Sequence, residues 1–424
     1  MIDKELIRQN PNAVADTLLK RGFKVDFKNY LGLEESRRKL LGENEAFRAK
    51  RNAVSAQIAQ MKKSGENADA VVLEMKKIGD AISNGDVKIA ELDEKIFEFL
   101  SALPNLPDTD VVSGGKENNK VIKTVGTKPE FKGFTPKNHV ELCTSLKLID
   151  YERGAKISGA KAWVYTGMGA RLEWALLNYF IDFHVNNGYT FILPPHLLNY
   201  ESGYAAGQFP KFIDDVFVTD FDSDPKKSKF MLPTAETALI SLHRGEIIPE
   251  SELPIKYAAY SPCYRKEAGS YRTDERGMIR GHQFNKVEMF VYCKAEDADK
   301  IFAELVSNAE KLVSGLGLHF QTVALAAGDC SASMAKTYDI EVYIPSMNGY
   351  KEVSSASNAR DYQARRAGIR TKIGGQNVFV NTLNASGLAT SRIIPAIVEQ
   401  FQTADGRVIV PEVLRKYLGG VEIL

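Results

Sequence analysis

The sequence predicts an α+β protein: an N-terminal antiparallel coiled-coil helical hairpin, followed by an antiparallel β-sheet domain flanked by helices. Three observations carry this. Apolar residues recur every seven positions through the N-terminal quarter, a Pro/Gly/Asn/Lys-rich run follows, and beyond it short period-two stretches interleave with amphipathic ones without regular βαβ alternation.

The chain has 424 residues, enough for two or three domains. Hydrophobic residues make up 44% and charged residues 26%, a composition that can bury a substantial core. With a net charge of +1, any nucleic-acid binding must come from local patches. Cys143, Cys263, Cys293 and Cys330 are scattered without a CxxC pair or histidines at ligand spacing, so buried thiols are expected and no zinc. The start MIDKELIRQN lacks an apolar signal core, and no apolar run approaches the roughly 20 residues of a membrane span. A cytoplasmic protein without membrane contact is expected.

A seven-residue column runs through Leu33, Leu40, Phe47, Val54 and Met61, with Ala46 and Ala53 one residue before it. SGEN (64–67) ends it with a turn signal. A second column, Met75, Ile82, Ile89, Ile96 and Leu103, is joined by Ile78, Leu92 and Phe99 and interrupted only at Gly85. Two helices of about 30 residues joined by a short turn must lie antiparallel, as an arm on the order of 45 Å long. The first carries Arg37, Arg38, Lys39, Arg48, Lys50 and Arg51; the second is dominated by Asp86, Glu91, Asp93, Glu94 and Glu98. These charges suit either a phosphate backbone or pairing across the hairpin, and a coiled coil alone suggests a dimerisation element or spacer equally well.

Residues 104–131 read as a linker. Beyond them, helices are expected at 169–187, 234–245 and 296–315, and strands at TFILP, KYAAYSPCYRKE, FNKVEMFVYC, YDIEVYIP and KEVSSAS. No internal repeat at solenoid spacing is present.

Charge alternates through YRKEAG (264–269) and HQFNKVEMF (282–290). A period of two puts Arg265 with Glu267, and Phe284 with Lys286 and Glu288. Paired as a hairpin, they form a surface suited to a ligand with a phosphate, a base and an ammonium group, although an exposed sheet face would look the same. LPTAE puts Thr234 at an N-cap-like position of a helix, and GYKEVSSASN offers Glu352 and Ser355, a hard-oxygen pair suited to Mg²⁺. LNASGLATSR combines a small-residue turn with helix-borne Arg392. There is no GxxxxGK[ST] phosphate loop, and GMG (167–169) is not a GxGxxG.

TAE, YRKEAG, HQFNKVEMF, YKEVSSASN with DYQARR, and LNASGLATSR, in this order behind a helical hairpin, resemble the seryl-tRNA synthetases, class II aminoacyl-tRNA synthetases, along the whole chain. The resemblance implies a tRNA-binding arm at 1–108, a linker at 109–135 and a class II catalytic domain at 136–424. It implies ATP contacts from Arg265, Lys266, Glu267, Gly281, His282, Gln283, Phe284, Glu352, Val353, Ser354, Ser355 and Arg392. Of these, Arg265 and Arg392 are the catalytic arginines, Phe284 the ring on adenine, and Glu352 with Ser355 the Mg²⁺ ligands. A serine pocket of Thr234, Ala235, Glu236, Arg265, Glu288, Asn384 and Ser386 is also implied.

The implied reaction joins L-serine and ATP as seryl-adenylate, releases pyrophosphate, and transfers the seryl group to the 3′ end of tRNA(Ser). Whether tRNA(Sec) is also charged stays open. The arm's basic residues would grip tRNA, and GYTFILPPHLL (188–198), with Pro195, would mark a homodimer contact. None of the six histidines is required as a base. GYAAGQFPKF (203–212), Ala359 and Ala385 depart from the usual family pattern, which bears on pocket dimensions more than on reaction class. Two rivals remain: a ligase loading a carrier protein, which would lack the arm, and a non-catalytic paralogue, which would have lost site residues.

Overall fold

The computed structural model describes residues 1–219, 222–224, 226–267 and 277–424. It divides into two compact units, one of Ile2–Asp16 and Lys24–Leu103, the other of Met1, Thr17–Phe23 and Pro104–Leu424.

In the first unit, helices α1 (Lys28–Ser64) and α2 (Asp69–Ala102) form the hairpin. Their cross-pairs Arg37 with Asp93, Arg48 with Asp86 and Lys50 with Glu74 run in opposite chain directions, so the helices are antiparallel. At 1.5 Å per residue each spans roughly 50–55 Å, longer than expected because α1 begins ahead of its first column residue and α2 ahead of Met75. Gly65 closes α1 with φ 77°, its N–H reaching back to the Met61 carbonyl.

The seam of α2 is as the heptads predict, with Ile78, Ile82, Ile89 and Ile96 buried. On α1 the buried set is Tyr30, Glu34, Asn44, Val54 and Ile58, whereas Phe47, Ala46 and Ala53 are exposed. Gly85 explains the local shift. A Cβ there would stand 2.1 Å from Asn44 Oδ1, so the interruption in the apolar column makes room for a buried amide. Asn44 Nδ2 donates to Asp86 Oδ1 at 2.8 Å and to the Ile82 carbonyl at 3.3 Å. A polar residue satisfied at a seam fixes register at some cost in stability.

The second unit is built on one eight-stranded sheet. In chain order its elements are β1 (Lys120–Val125), α3 (Gly167–Asn186), β2 (Thr190–Ile192), β3 (Ile255–Tyr264), β4 (Gln283–Cys293), α4 (Ala298–Gly315), β5 (Phe320–Ala324), β6 (Lys336–Ile344), β7 (Gly349–Arg360), β8 (Asn381–Ala389) and α5 (Thr390–Gln400). The strand order is β1-β5-β6-β7-β8-β4-β3-β2, antiparallel except between β2 and β3. Along β4, Met289, Val291 and Cys293 pack with Ile301, Phe302 and Leu305 of α4. Phe290 and Tyr292 join another cluster, and by the two-residue period Lys286 and Glu288 share their face. Leu172, Leu176 and Phe180 of α3 pack with Ile393 and Ile397 of α5 in the largest core.

Three expectations change. The segment read as a linker contributes β1, paired antiparallel to β5. Five of its six residues are exposed, so it lacks the apolar alternation that reveals a strand, and lysines mark it as an edge. The helix expected at 234–245 is α-helical only over Glu236–Leu239; Ser241, Leu242 and Arg244 donate to carbonyls three residues back. Its N-cap is Ala235, and the bond that Thr234 Oγ1 accepts from the Glu236 N–H is long, at 3.4 Å. Finally, the small residues of LNASGLATSR are not a turn. They form most of β8, paired on both sides, where close packing requires them: a Cβ on Gly387 would lie 2.3 Å from His184 Nε2.

Candidate active site

Strands β4, β6, β7 and β8, with Arg265 just past the end of β3, contribute to one cavity of about 390 Å³. A smaller recess of about 50 Å³ shares Arg265, Arg280, Lys286, Glu352, Ser386 and Arg392 with it. The alternating charges of the hairpin therefore face inward.

At the cavity floor lie Thr234, Glu236, Lys286, Glu288 and Asn384, each no more than 9% exposed. Glu288 Oε1 accepts from Asn384 Nδ2 at 3.1 Å, and Oε2 accepts from Thr234 Oγ1 at 3.4 Å. Lys286 Nζ donates to Thr234 Oγ1 at 2.6 Å and forms an ion pair with Glu288 Oε2. Glu236 Oε1 accepts from Gln363 Nε2 at 2.7 Å, and burial, followed by the charge of Glu288, pushes its carboxyl up to about 7. Asn384 Oδ1 is buried and accepts no hydrogen bond from a described residue.

The register of β8 changes at this floor. Glu288 faces Ser386 but Lys286 faces Ala389, so β8 holds one extra residue there, and Leu388 takes φ 85°. That bulge sets Ser386 beside Glu288 while turning the chain into α5, which carries Arg392.

Cations line the upper cavity. The Arg265 guanidinium lies 5.2 Å from the Phe284 ring centroid, and its Nε donates to the Pro233 carbonyl at 3.2 Å. Arg392 Nη1 donates to the Glu352 carbonyl at 2.7 Å and lies 3.6 Å from Glu352 Oε2. Arg280 pairs with Glu267, itself at φ 51°. Opposite them, Asp339 stands across from Ser355 in the β6–β7 ladder, with Glu341 and Glu352 lining the same wall. Burial and the charge of Glu352 hold the Asp339 carboxyl well above the usual range, and its Oδ1 accepts no hydrogen bond from a described residue.

Not every expected residue reaches the cavity. Glu267, Gly281, Phe284 and Val353 line the recess, and Thr234, Glu236, Glu288, Asn384 and Ser355 line the main cavity. Lys266 and Gln283 are exposed and line neither, nor do His282, Ala235 and Ser354. His282 Nδ1 lies 3.0 Å from the Arg265 carbonyl, which ties the two hairpin strands, and Ser354 Oγ donates to the Ser386 carbonyl at 2.5 Å. The last two residues of YRKEAG, 268 and 269, and the loop as far as 276 lie outside the described residues.

Sequence reading assigned no role to Arg280, Asp339 or Gln363, nor to Lys286 beyond its face. Period two from Glu341, Ser355's partner strand and the DYQARR run contained the only signals for them. In the hairpin unit, Arg37, Arg48 and Lys50 are engaged with α2 carboxylates, whereas Arg38, Lys39 and Arg51 are exposed and make no ion pair with a described residue.

Residues 1–107 match the seryl-tRNA synthetase N-terminal domain, and residues 217–401 match the tRNA synthetase class II core domain (G, H, P, S and T). Serine-tRNA ligase 2 of Clostridium acetobutylicum is 58% identical over 99% of both chains. The chain belongs to the seryl-tRNA synthetase family. The serine-tRNA ligase of Thermodesulfovibrio yellowstonii is 45% identical, again over 99% of both chains. Among solved structures, the seryl-tRNA synthetase of Pyrococcus horikoshii complexed with ATP superposes with a TM-score of 0.91 at 33% identity, covering 100% of this chain and 99% of that one. The cytoplasmic serine-tRNA ligase of Naegleria fowleri in complex with AMP gives 0.88 at 27% identity over 100% and 98%. The helical hairpin and the antiparallel sheet with its flanking helices are thus the seryl-tRNA synthetase architecture.

Proposed function

We propose that this protein is an ATP-dependent serine-tRNA ligase, which converts L-serine and ATP to seryl-adenylate and pyrophosphate and then transfers the seryl group to the 3′ end of tRNA(Ser). One observation carries the reading: a small, buried, hydrogen-bonding floor of Thr234, Glu236, Glu288 and Asn384 opens directly onto the arginines Arg265 and Arg392. The floor has the size and polarity for a side-chain hydroxyl and an ammonium group. The arginines suit a carboxylate and a polyphosphate.

Adenylation needs no general base, because the serine carboxylate is already an anion at neutral pH. Its barrier lies in bringing two anionic groups into line. Arg265 would hold the carboxylate and α-phosphate together, and Arg392, oriented by the Glu352 carbonyl, would meet the distal phosphates. Phe284 would stack on adenine, bounded by Glu267 and Gly281, with Val353 below. Glu236 would receive the ammonium group. Glu288 would accept the serine hydroxyl, beside Ser386 and Asn384. A pocket that leaves Glu288 unmet rejects alanine, since an unsatisfied buried acceptor costs about 1–3 kcal/mol.

The wall of Ser355, Glu352 and Asp339 fits Mg²⁺: its donors are hard oxygens, and Asp339 Oδ1 is buried and accepts no hydrogen bond from a described residue. Glu352 and Ser355 would hold the ion, which when bound supplies positive charge against the polyphosphate.

Residues 1–108 would serve as the tRNA arm and 136–424 as the catalytic domain, with 109–135 joining them. Arg38, Lys39 and Arg51, free of ion pairs with described residues, are its best phosphate contacts. A homodimer is proposed through the motif at 188–198: edge strand β2 is followed by Leu193 at 69% and Leu197 at 44% exposure. No helix among the described residues is long and apolar enough to cross a membrane, and we assign the protein to the cytoplasm.

Charging of a tRNA(Ser) transcript with labelled serine tests this function. Seryl-tRNA should accumulate with intact tRNA and not with periodate-oxidised tRNA. Transfer of serine to a carrier protein in preference to tRNA would establish the rival ligase.

A further inference from the structure

Lys286 is out of place in a pocket meant to receive an ammonium group. It lies at 5% exposure on the central strand β4, and it lines both the main cavity and the recess. Burying a charge is unfavourable unless close partners compensate it, and a cation beside the binding site of another cation is doubly so. Its partners explain it. Nζ reaches Thr234 Oγ1 at 2.6 Å and pairs with Glu288 Oε2, so one ammonium group touches the residue assigned to the serine hydroxyl and the threonine beside it.

The floor holds two carboxylates, and Lys286 is the cation paired directly with one of them. Glu236 and Glu288 are both buried there, and a single substrate ammonium group could compensate only one of them. Glu236 shows the consequence of two carboxylates sharing such a space, its carboxyl pushed up to about 7 by burial and then by Glu288. Lys286 supplies the second positive charge.

We propose that Lys286 is a specificity-positioning residue: its ion pair fixes the orientation of Glu288, and by occupying an acceptor lobe of Thr234 Oγ1 it directs that hydroxyl's proton onto Glu288. With Asn384 Nδ2 on the other oxygen, Glu288 then presents to the substrate an acceptor that only a side-chain hydroxyl can satisfy. Without Lys286, Thr234 and Glu288 would lose the contact that orients both, so serine would lose its advantage over alanine. Lys286 acts through Glu288 and not on the reacting atoms.

This inference rests on the serine-activating reading, and the test separates the two. Serine-dependent and alanine-dependent exchange of labelled pyrophosphate into ATP are measured for wild type, Lys286→Met, Glu288→Gln and the double variant. Lys286→Met should raise the KM for serine by about tenfold or more, lower the serine-to-alanine preference by a similar factor, and leave the KM for ATP within about twofold. In the Glu288→Gln background the same change should add little, because its effect passes through that carboxylate. If Lys286→Met does not fold, Lys286→Gln, which keeps a donor to Thr234 but drops the charge, gives the same reading. An unchanged serine KM, or effects of Lys286 and Glu288 that simply multiply, overturns the inference alone. Wild-type protein that shows no serine-dependent exchange overturns both it and the serine reading.

Discussion

Glu288, at 1% exposure, receives hydrogen bonds on both carboxylate oxygens, and all its protein partners have been spent on orienting it. Replacing it by glutamine substitutes a donor for one acceptor at constant size. Glu288→Gln is expected to raise the KM for serine about tenfold or more and to leave the KM for ATP nearly unchanged, measured by pyrophosphate exchange. A second buried carboxylate, Glu173 on α3, holds Asn285 Nδ2 at 2.7 Å and Thr390 Oγ1 at 2.6 Å, tying β4 to the start of α5. Burial pushes it up from 4.5 to about 7. Between those values the folded state holds a proton that the unfolded chain has released, so this group's contribution falls as pH rises and its cost is complete above about 7. Glu173→Gln should therefore gain about 2.5 kcal/mol relative to wild type between pH 5 and pH 8, most of it below about pH 7 where the slope approaches about 1.4 kcal/mol per pH unit, in denaturant melts at the two values. The period-two rule was enough to put Glu288 and Phe284 on one face, because a strand face is written directly in its sequence, whereas the inward direction of that face came only from the resemblance. Glu173 was not legible, since a lone glutamate in an amphipathic helix is ordinarily solvated.

At the scale of elements, the hairpin's heptads were legible because a coiled coil depends on local periodicity alone. Asn44 was not, because its burial depends on the absence of a side chain at Gly85 on the other helix. Strand β8 was misread for a related reason. Small residues signal a turn in isolation, but in a paired central strand they answer to neighbours such as His184, which no local pattern contains. The division of the arm's cations also needed the structure. Because Arg37, Arg48 and Lys50 already meet carboxylates of α2, the phosphate-binding capacity should rest on Arg38, Lys39 and Arg51. Changing those three to alanine should raise the KM for tRNA and reduce the salt slope of tRNA binding by about two to three, with tRNA-independent exchange unchanged. Equal losses from the ion-paired set would contradict this division.

For the molecule as a whole, the order of motifs carried more than any one of them. TAE or ASG alone is a plain helix start or turn, yet their sequence behind a helical hairpin named the family that the full-length relatives share. Quaternary structure was implied only by that resemblance, and the proposed dimer contact would use the exposed Leu193 and Leu197 that follow edge strand β2. Leu193→Asp is expected to shift the protein from dimer to monomer in sedimentation equilibrium; a wild-type monomer at micromolar concentration would remove the dimer from the account. Everything else depends on whether this cavity activates serine. The most direct measurement is exchange of labelled pyrophosphate into ATP, without tRNA and with Mg²⁺, in the presence of serine, threonine, alanine or glycine. Strong exchange with serine alone is the predicted result. Folded protein that exchanges with none of them, or prefers another amino acid, would contradict the assignment of Thr234, Glu236, Glu288 and Asn384 as a serine pocket.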